Sequence, residues 1–192
     1  DKNYAALTHV KQSKAENKEI FNAEARAKLK EAVGTVPYAD YILCMIFTGF
    51  RTSEFLDLTA GDYDPINNCL TGGAKTEAGE NRVITISPII KPVIERLVKN
   101  KLPGAPLFHN DDGKKFTYKR FREQAFNPVL EALNINSLTP HCTRHTFATM
   151  MKDIAAPITD KQGLMGHASA EMTYYYTHTD IESLRRITDN LQ

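Results

Sequence analysis

Thr139-Pro140-His141-Cys142-Thr143-Arg144-His145-Thr146-Phe147-Ala148-Thr149 opens a predicted helix running from Pro140 to Asp153. His141 and His145 stand four apart on it, a spacing at which two imidazoles could hold a metal. Two features argue against that use. No Glu follows the first His to serve as a base, and Arg144 between the pair would repel a cation. The arginine points to a different ligand. Arg144 lies three residues after His141, so both project from one helix face. Arg51 follows Thr48-Gly49-Phe50, where a helix breaks and a side chain can face a cleft. Two guanidinium groups converging on one point suit a phosphate, which each can bind bidentately. Spacing alone favours the plainer alternative, in which Arg51 pairs with Glu54 and Arg144 is solvated.

Working outward, the first twenty residues are polar and aperiodic and read as a linker or arm. Asn22 is placed to cap a helix to about Val33, with Gly34 as its stop. A second helix, about Tyr38 to Phe47, is apolar nearly all round and therefore central to the core. A short helical turn follows at Thr52 to Leu58. From Asp62 to Ser87 the signals change to strand and turn, and strands at about Asn68 to Thr71 and Arg82 to Ser87 predict a hairpin across Ala74 to Asn81. Helix returns after Pro88 to about Lys101 and from Thr117 to Leu133, with shorter pieces at Thr159 to Met165 and Ala170 to Tyr175. A last helix, from Asp180, carries Ile181, Leu184, Ile187 and Leu191 on one face. The fold class expected is α+β, mainly helical, with a small antiparallel sheet.

Composition bounds the class. The 192 residues carry 24 Lys and Arg against 23 Asp and Glu, with 42% hydrophobic residues, ordinary values for one well-cored domain. The longest apolar run, Tyr41 to Phe47, is seven residues, far short of a membrane span. Three cysteines without a Cys-x-x-Cys spacing argue against a disulfide framework and a structural zinc site, and fit a reducing cytoplasm. A net charge of +1 does not advertise a nucleic-acid binder, so any cations that meet DNA must be gathered on one face. Lys114, Lys115, Lys119, Arg120 and Arg122 are such a gathering: five cations in nine residues with no acid. Interleaved aromatics would anchor their helix while the cations meet backbone phosphates. A solvated basic face is the alternative.

Further along, Gly166-His167 ends a helix, and Tyr174-Tyr175-Tyr176-Thr177-His178 follows. Adjacent tyrosines are more often packing than chemistry, yet a phenol becomes a nucleophile once its proton is removed. Lys75, near the predicted hairpin turn, has an equally plain explanation as a polar turn residue.

Taken together, Thr48-Gly49-Phe50-Arg51-Thr52-Ser53-Glu54, Lys75-Thr76, the Thr139 to Thr149 stretch, Met165-Gly166-His167 and Tyr176-Thr177-His178 closely resemble the catalytic domain of tyrosine recombinases, the phage integrase family. The motifs stand in the family's order over Ile20 to Gln192. The resemblance implies that Arg51 and Arg144 clamp a scissile phosphate and that Lys75 is the general acid for the departing 5′-oxygen. It aligns His141 with the first histidine of His-x-x-Arg and His167 with that of Leu-Gly-His, and it makes Tyr176 the nucleophile. Thr143 stands where the family has a Leu, as does Met165; neither touches the catalytic set.

So read, the protein is a site-specific DNA recombinase acting through a 3′-phosphotyrosine, most like integrases of prophages or conjugative transposons. It needs no cofactor or metal, binds double-stranded DNA, assembles as a tetramer on it and avoids membranes. A type IB topoisomerase-like relaxing enzyme is the alternative, disfavoured by the compact spacing from His-x-x-Arg to Tyr176. The expected layout is a linker at 1–20, the catalytic domain at 21–179 and a tail helix at 180–192, a catalytic fragment lacking the family's DNA-clamping N-terminal domain. The tail is expected to dock on a neighbouring protomer in preference to its own domain.

Overall fold

A computed structural model describes residues 19–73, 81–135, 138–166 and 181–192. Helix α1 (Ala23–Ala32) starts where Asn22 accepts a hydrogen bond from the Ala25 amide at 2.8 Å, the capping geometry its sequence predicts. It buries Ala25, Leu29 and Ala32 against α2 (Ala39–Thr48), whose ten residues are all buried. An all-round apolar helix has no solvent face to keep, and α2 is accordingly the centre of the core. Its one carboxylate, Asp40, accepts from Arg96. Gly49 ends α2 at φ +62°, and a Cβ there would lie 2.2 Å from the Phe147 ring. Glycine is required twice over, for the left-handed turn and for the approach of α7 (Pro140–Met150).

Between these core helices lie α3 (Thr52–Asp57) and a three-stranded antiparallel sheet in the order β1-β2-β3, made of β1 (Tyr63–Asp64), β2 (Cys69–Gly72) and β3 (Arg82–Thr85). The predicted hairpin pairs Gly72 with Arg82 and Cys69 with Thr85. The sheet also has a third strand, β1, two residues long, that the sequence reading does not assign. Helix α4 (Lys91–Val98) is shorter at both ends than the expected Pro88 to Lys101.

The expected single helix from Thr117 to Leu133 is interrupted. It consists of α5 (Tyr118–Phe121), a π-helical turn (Arg122–Phe126) and α6 (Asn127–Ala132). Widening the ring by one residue lets Pro128, which has no amide hydrogen, sit in the second position of α6 without breaking the run. Phe121, Ala125, Phe126, Val129 and Leu130 are buried along it.

After α7, helix α8 (Ile158–Met165) and the tail helix α9 (Ile181–Thr188) pack together and against β3. Here the structure corrects the preference for docking on a neighbour. Leu184 and Ile187 from α9, and Leu191 beyond it, are buried in their own domain, at 3%, 0% and 2% exposure. Thr188 hydrogen-bonds Thr85 on β3 at 2.8 Å, and Ser183 donates to Asp160 on α8. The physical reason is proximity: β3 and α8 offer an apolar surface within the same chain. The expected helix at Ala170 to Tyr175 lies outside the described residues.

Candidate active site

Arg51 is the N-cap of α3, and Glu54 occupies the third position of that helix. One Glu54 oxygen accepts from the Arg51 amide at 2.8 Å and the other from its guanidinium at 2.7 Å. A carboxylate in the first helical turn satisfies an orphan amide and meets the positive end of the helix dipole, so this local arrangement is favoured before any tertiary contact forms. The Arg51–Glu54 pairing therefore exists. The Arg51 side chain nonetheless remains 43% exposed, leaving part of its guanidinium open to a second ligand.

Arg144 departs from the plainer reading: it is buried, at 3% exposure. From α7 its guanidinium donates to the Gly49 carbonyl at 2.7 Å and to the Met165 carbonyl. Both acceptors sit at helix C-termini, where carbonyls lack intrahelical partners and the dipole favours a cation. His141, three residues earlier, is exposed, with its ring edge-on to His145 at 4.4 Å between centroids. Among the described residues no three His, Cys, Asp or Glu side chains are grouped to hold a metal ion.

Arg82 was missed as a site residue. It heads β3 on the same face as Ile84 and Ile86, is 7% exposed, and donates to Glu54 at 3.0 Å and to the Met165 carbonyl at 3.0 Å. Its guanidinium carbon also lies 4.6 Å from the centroid of the Phe50 ring. The signal available in sequence was the period-two alternation, which puts this charge on the buried face of the strand.

Among the described residues, three guanidinium groups thus gather round the Glu54 carboxylate, an excess of two positive charges. Burial first, then the charges of Arg82 and Arg51, bring the Arg144 pKa down to about 10. Burial likewise takes Arg82 down to about 10 against the pull of Glu54. Burial alone would raise the Glu54 carboxyl, but Arg82 and the hydrogen bonds and charge of Arg51 hold it below its ordinary value. Such a cluster can bind an oxyanion and stabilise charge that builds on it.

Lys114, Lys115, Lys119, Arg120 and Arg122 are all exposed, on a segment anchored by Phe116 and Phe121, whereas Tyr118 is itself 52% exposed. Lys115 pairs with Asp57 and Lys119 lies 4.0 Å from Glu123. Lys75, His167 and Tyr176 lie outside the described residues, as do Tyr174 and Tyr175.

Comparison with known proteins bears on the whole arrangement. The sequence model described as "Phage integrase family" matches residues 13–183. A tyrosine recombinase XerC of Pelobacter propionicus is 29% identical over 145 residues, covering 74% of this chain and 47% of that protein. A XerC of Herpetosiphon aurantiacus is 35% identical over 137 residues, covering 68% of this chain and 44% of its own length. The chain therefore spans about half the length of these relatives. Among solved structures, the Tn1549 transposon integrase in complex with a circular intermediate DNA superposes with a TM-score of 0.67 at 22% identity, covering 91% of this chain and 66% of that one. A XerA recombinase gives 0.66 at 22% identity, covering 87% and 62%. At these identities the likeness establishes the fold: a mainly helical domain with a small antiparallel sheet.

Proposed function

Because the chain belongs to the phage integrase family, we propose that the protein carrying it is a site-specific DNA recombinase that cuts and rejoins strands through a 3′-phosphotyrosine. The carrying observation is the Arg51–Glu54–Arg82–Arg144 cluster, a fixed excess of positive charge with one arginine still open to a ligand. In the proposed reaction the Tyr176 oxygen attacks the scissile phosphorus. The new O–P bond forms as the bond to the 5′-oxygen breaks, and Lys75 supplies the proton that oxygen takes up. His141 takes up the proton that the Tyr176 hydroxyl loses, and His167 hydrogen-bonds the phosphate. Negative charge on the non-bridging oxygens meets Arg51 and Arg144, each such donor being worth about 3 kcal/mol of barrier. The proton donor adds about 100-fold. The phosphotyrosine conserves the phosphodiester bond energy for rejoining, so neither ATP nor a metal is required.

Double-stranded DNA is the proposed partner, with Lys114, Lys115, Lys119, Arg120 and Arg122 as backbone contacts. Residues 21–179 form the catalytic domain in this reading, with 1–20 a linker and 180–192 the tail. Work on DNA in the cytoplasm and self-association into a tetramer belong to the same proposal. The named relatives are recombinases and an integrase, which is why a relaxing topoisomerase is not favoured. Among the described residues no helix is long and apolar enough to cross a membrane.

Trapping on a nicked suicide duplex tests the reading. The parent protein should form a covalent DNA adduct, insensitive to chelators, that is lost in Tyr176→Phe and retained in Tyr174→Phe and Tyr175→Phe. An adduct surviving in Tyr176→Phe would overturn the assignment.

A further inference from the structure

We propose that Arg82 is a positioning residue that ties both clamp arginines to the sheet; the inference rests on the recombinase reading above. A single guanidinium reaches both supports. Its Nη2 donates to the Glu54 oxygen that also accepts the Arg51 amide, at 3.0 and 2.8 Å respectively. Its Nη1 donates at 3.0 Å to the Met165 carbonyl, which Arg144 shares. Each clamp arginine is therefore one bond removed from Arg82. Both Nη nitrogens of Arg82 are engaged by these two acceptors.

The surroundings are shaped to this one side chain. Gly166 takes φ +60° at the end of α8, and a Cβ there would lie 2.3 Å from Arg82 Nη1. Glycine at 166 leaves the room in which the guanidinium reaches the carbonyl. Phe50 supports the guanidinium through its ring face. The Nε of Arg82 is buried without a hydrogen-bond partner among the described residues, so this placement carries a desolvation cost. A buried cation of this kind stabilises a fold weakly. What it secures is direction: Glu54 is kept facing Arg51, and the end of α8 is kept facing Arg144.

Arg82 also stands at the start of the hairpin's second strand. It is the first residue of β3, in register with Gly72, and the chain between those two positions contains Lys75. Strand, carboxylate and helix end meet at one planar fork. Lysine cannot replace it, because one ammonium does not span two acceptors in fixed directions.

The test compares Arg82→Met with the parent in first-turnover cleavage of a suicide duplex at saturating protein, alongside the DNA dissociation constant. Cleavage should fall at least fivefold while the dissociation constant moves less than threefold. In an Arg51→Lys background the same substitution should cost less than it does in the parent, since its route through Glu54 to Arg51 is already impaired and only that through Met165 to Arg144 remains. A rate for Arg82→Met within fivefold of the parent's, or a loss in the Arg51→Lys background as large as that in the parent, would overturn the proposal. Should Arg82→Met fail to fold, Arg82→Lys carries both comparisons under the same limits. A parent protein that forms no adduct overturns the recombinase reading itself. A parent that forms one, matched by Arg82→Met, removes only the role of Arg82.

Discussion

The cations of this chain fall into two populations that share a charge and little else. Arg82 and Arg144 are buried and held by a carboxylate and by helix-end carbonyls, with Arg51 at the rim of the same cluster. The run from Lys114 to Arg122 stands on the surface, with Lys115 paired to Asp57 and Lys119, 83% exposed, 4.0 Å from its acid. The first population has surrendered hydration for fixed direction, and the second keeps its water and its freedom. Fixed direction suits charge that develops at one atom during a reaction. Freedom suits an attraction to a polyanion that is screened by salt and needs no single geometry.

The sharpest way to break this distinction is at Glu54. Glu54→Gln leaves the arginines without their counter-charge and should lower unfolding stability by about 3–5 kcal/mol, read by urea denaturation. A loss below about 1 kcal/mol would mean that the cluster is not organised by its carboxylate. The pH dependence has a definite sign. The folded Glu54 carboxyl lies below its ordinary value of 4.5, so its contribution is complete above that pH and drains away as pH falls through the folded value. Glu54→Gln should therefore show a flatter acid limb than the parent.

Next in size, Arg144→Ala should slow cleavage by about 10²–10³-fold at saturating DNA, measured as adduct formation, with DNA affinity altered far less. Neutralising Lys119, Arg120 and Arg122 together with Gln should do the reverse. Cleavage at saturation should stay within about threefold, while the slope of log affinity against log salt falls by roughly 0.9 for each phosphate contact removed. An unchanged slope would show that these cations do not meet the backbone. The smallest effect belongs to Lys115→Gln, which breaks the exposed pair with Asp57 and should change stability by less than about 1 kcal/mol.

Local chemistry made much of this fold readable in advance. The Asn22 cap, the apolar run of α2 and the paired strands β2 and β3 each carry their signal within a few residues. What depended on distant partners was not readable. Strand β1 is two residues long and exists through its pairing of Tyr63 with Leu70 and Asp64 with Cys69. The π-helical turn keeps a helix-like burial pattern, so periodicity passes over it. Arg82 looked like an ordinary strand residue because its partners lie 28 and 83 residues away. Spacing paired Arg51 with Glu54 correctly but left Arg144 solvated, since nothing near it in sequence announces the Gly49 and Met165 carbonyls that receive it. The tail showed its stripe but not the surface that covers it.

The acceptors of Arg144 have a further consequence for mutational tolerance. Both are main-chain carbonyls, so no substitution at Gly49 or Met165 can delete the acceptor atom; it can only be displaced. Displacement has two obvious routes, a side chain at Gly49 driven into Phe147 or one at Gly166 driven into Arg82. The holding of this arginine is thus insulated from most single-residue changes around it and vulnerable at two glycines. A random mutagenesis screen for inactive proteins that remain folded should return Gly49 and Gly166 well ahead of Met165, whose side chain can vary while its carbonyl stays in place.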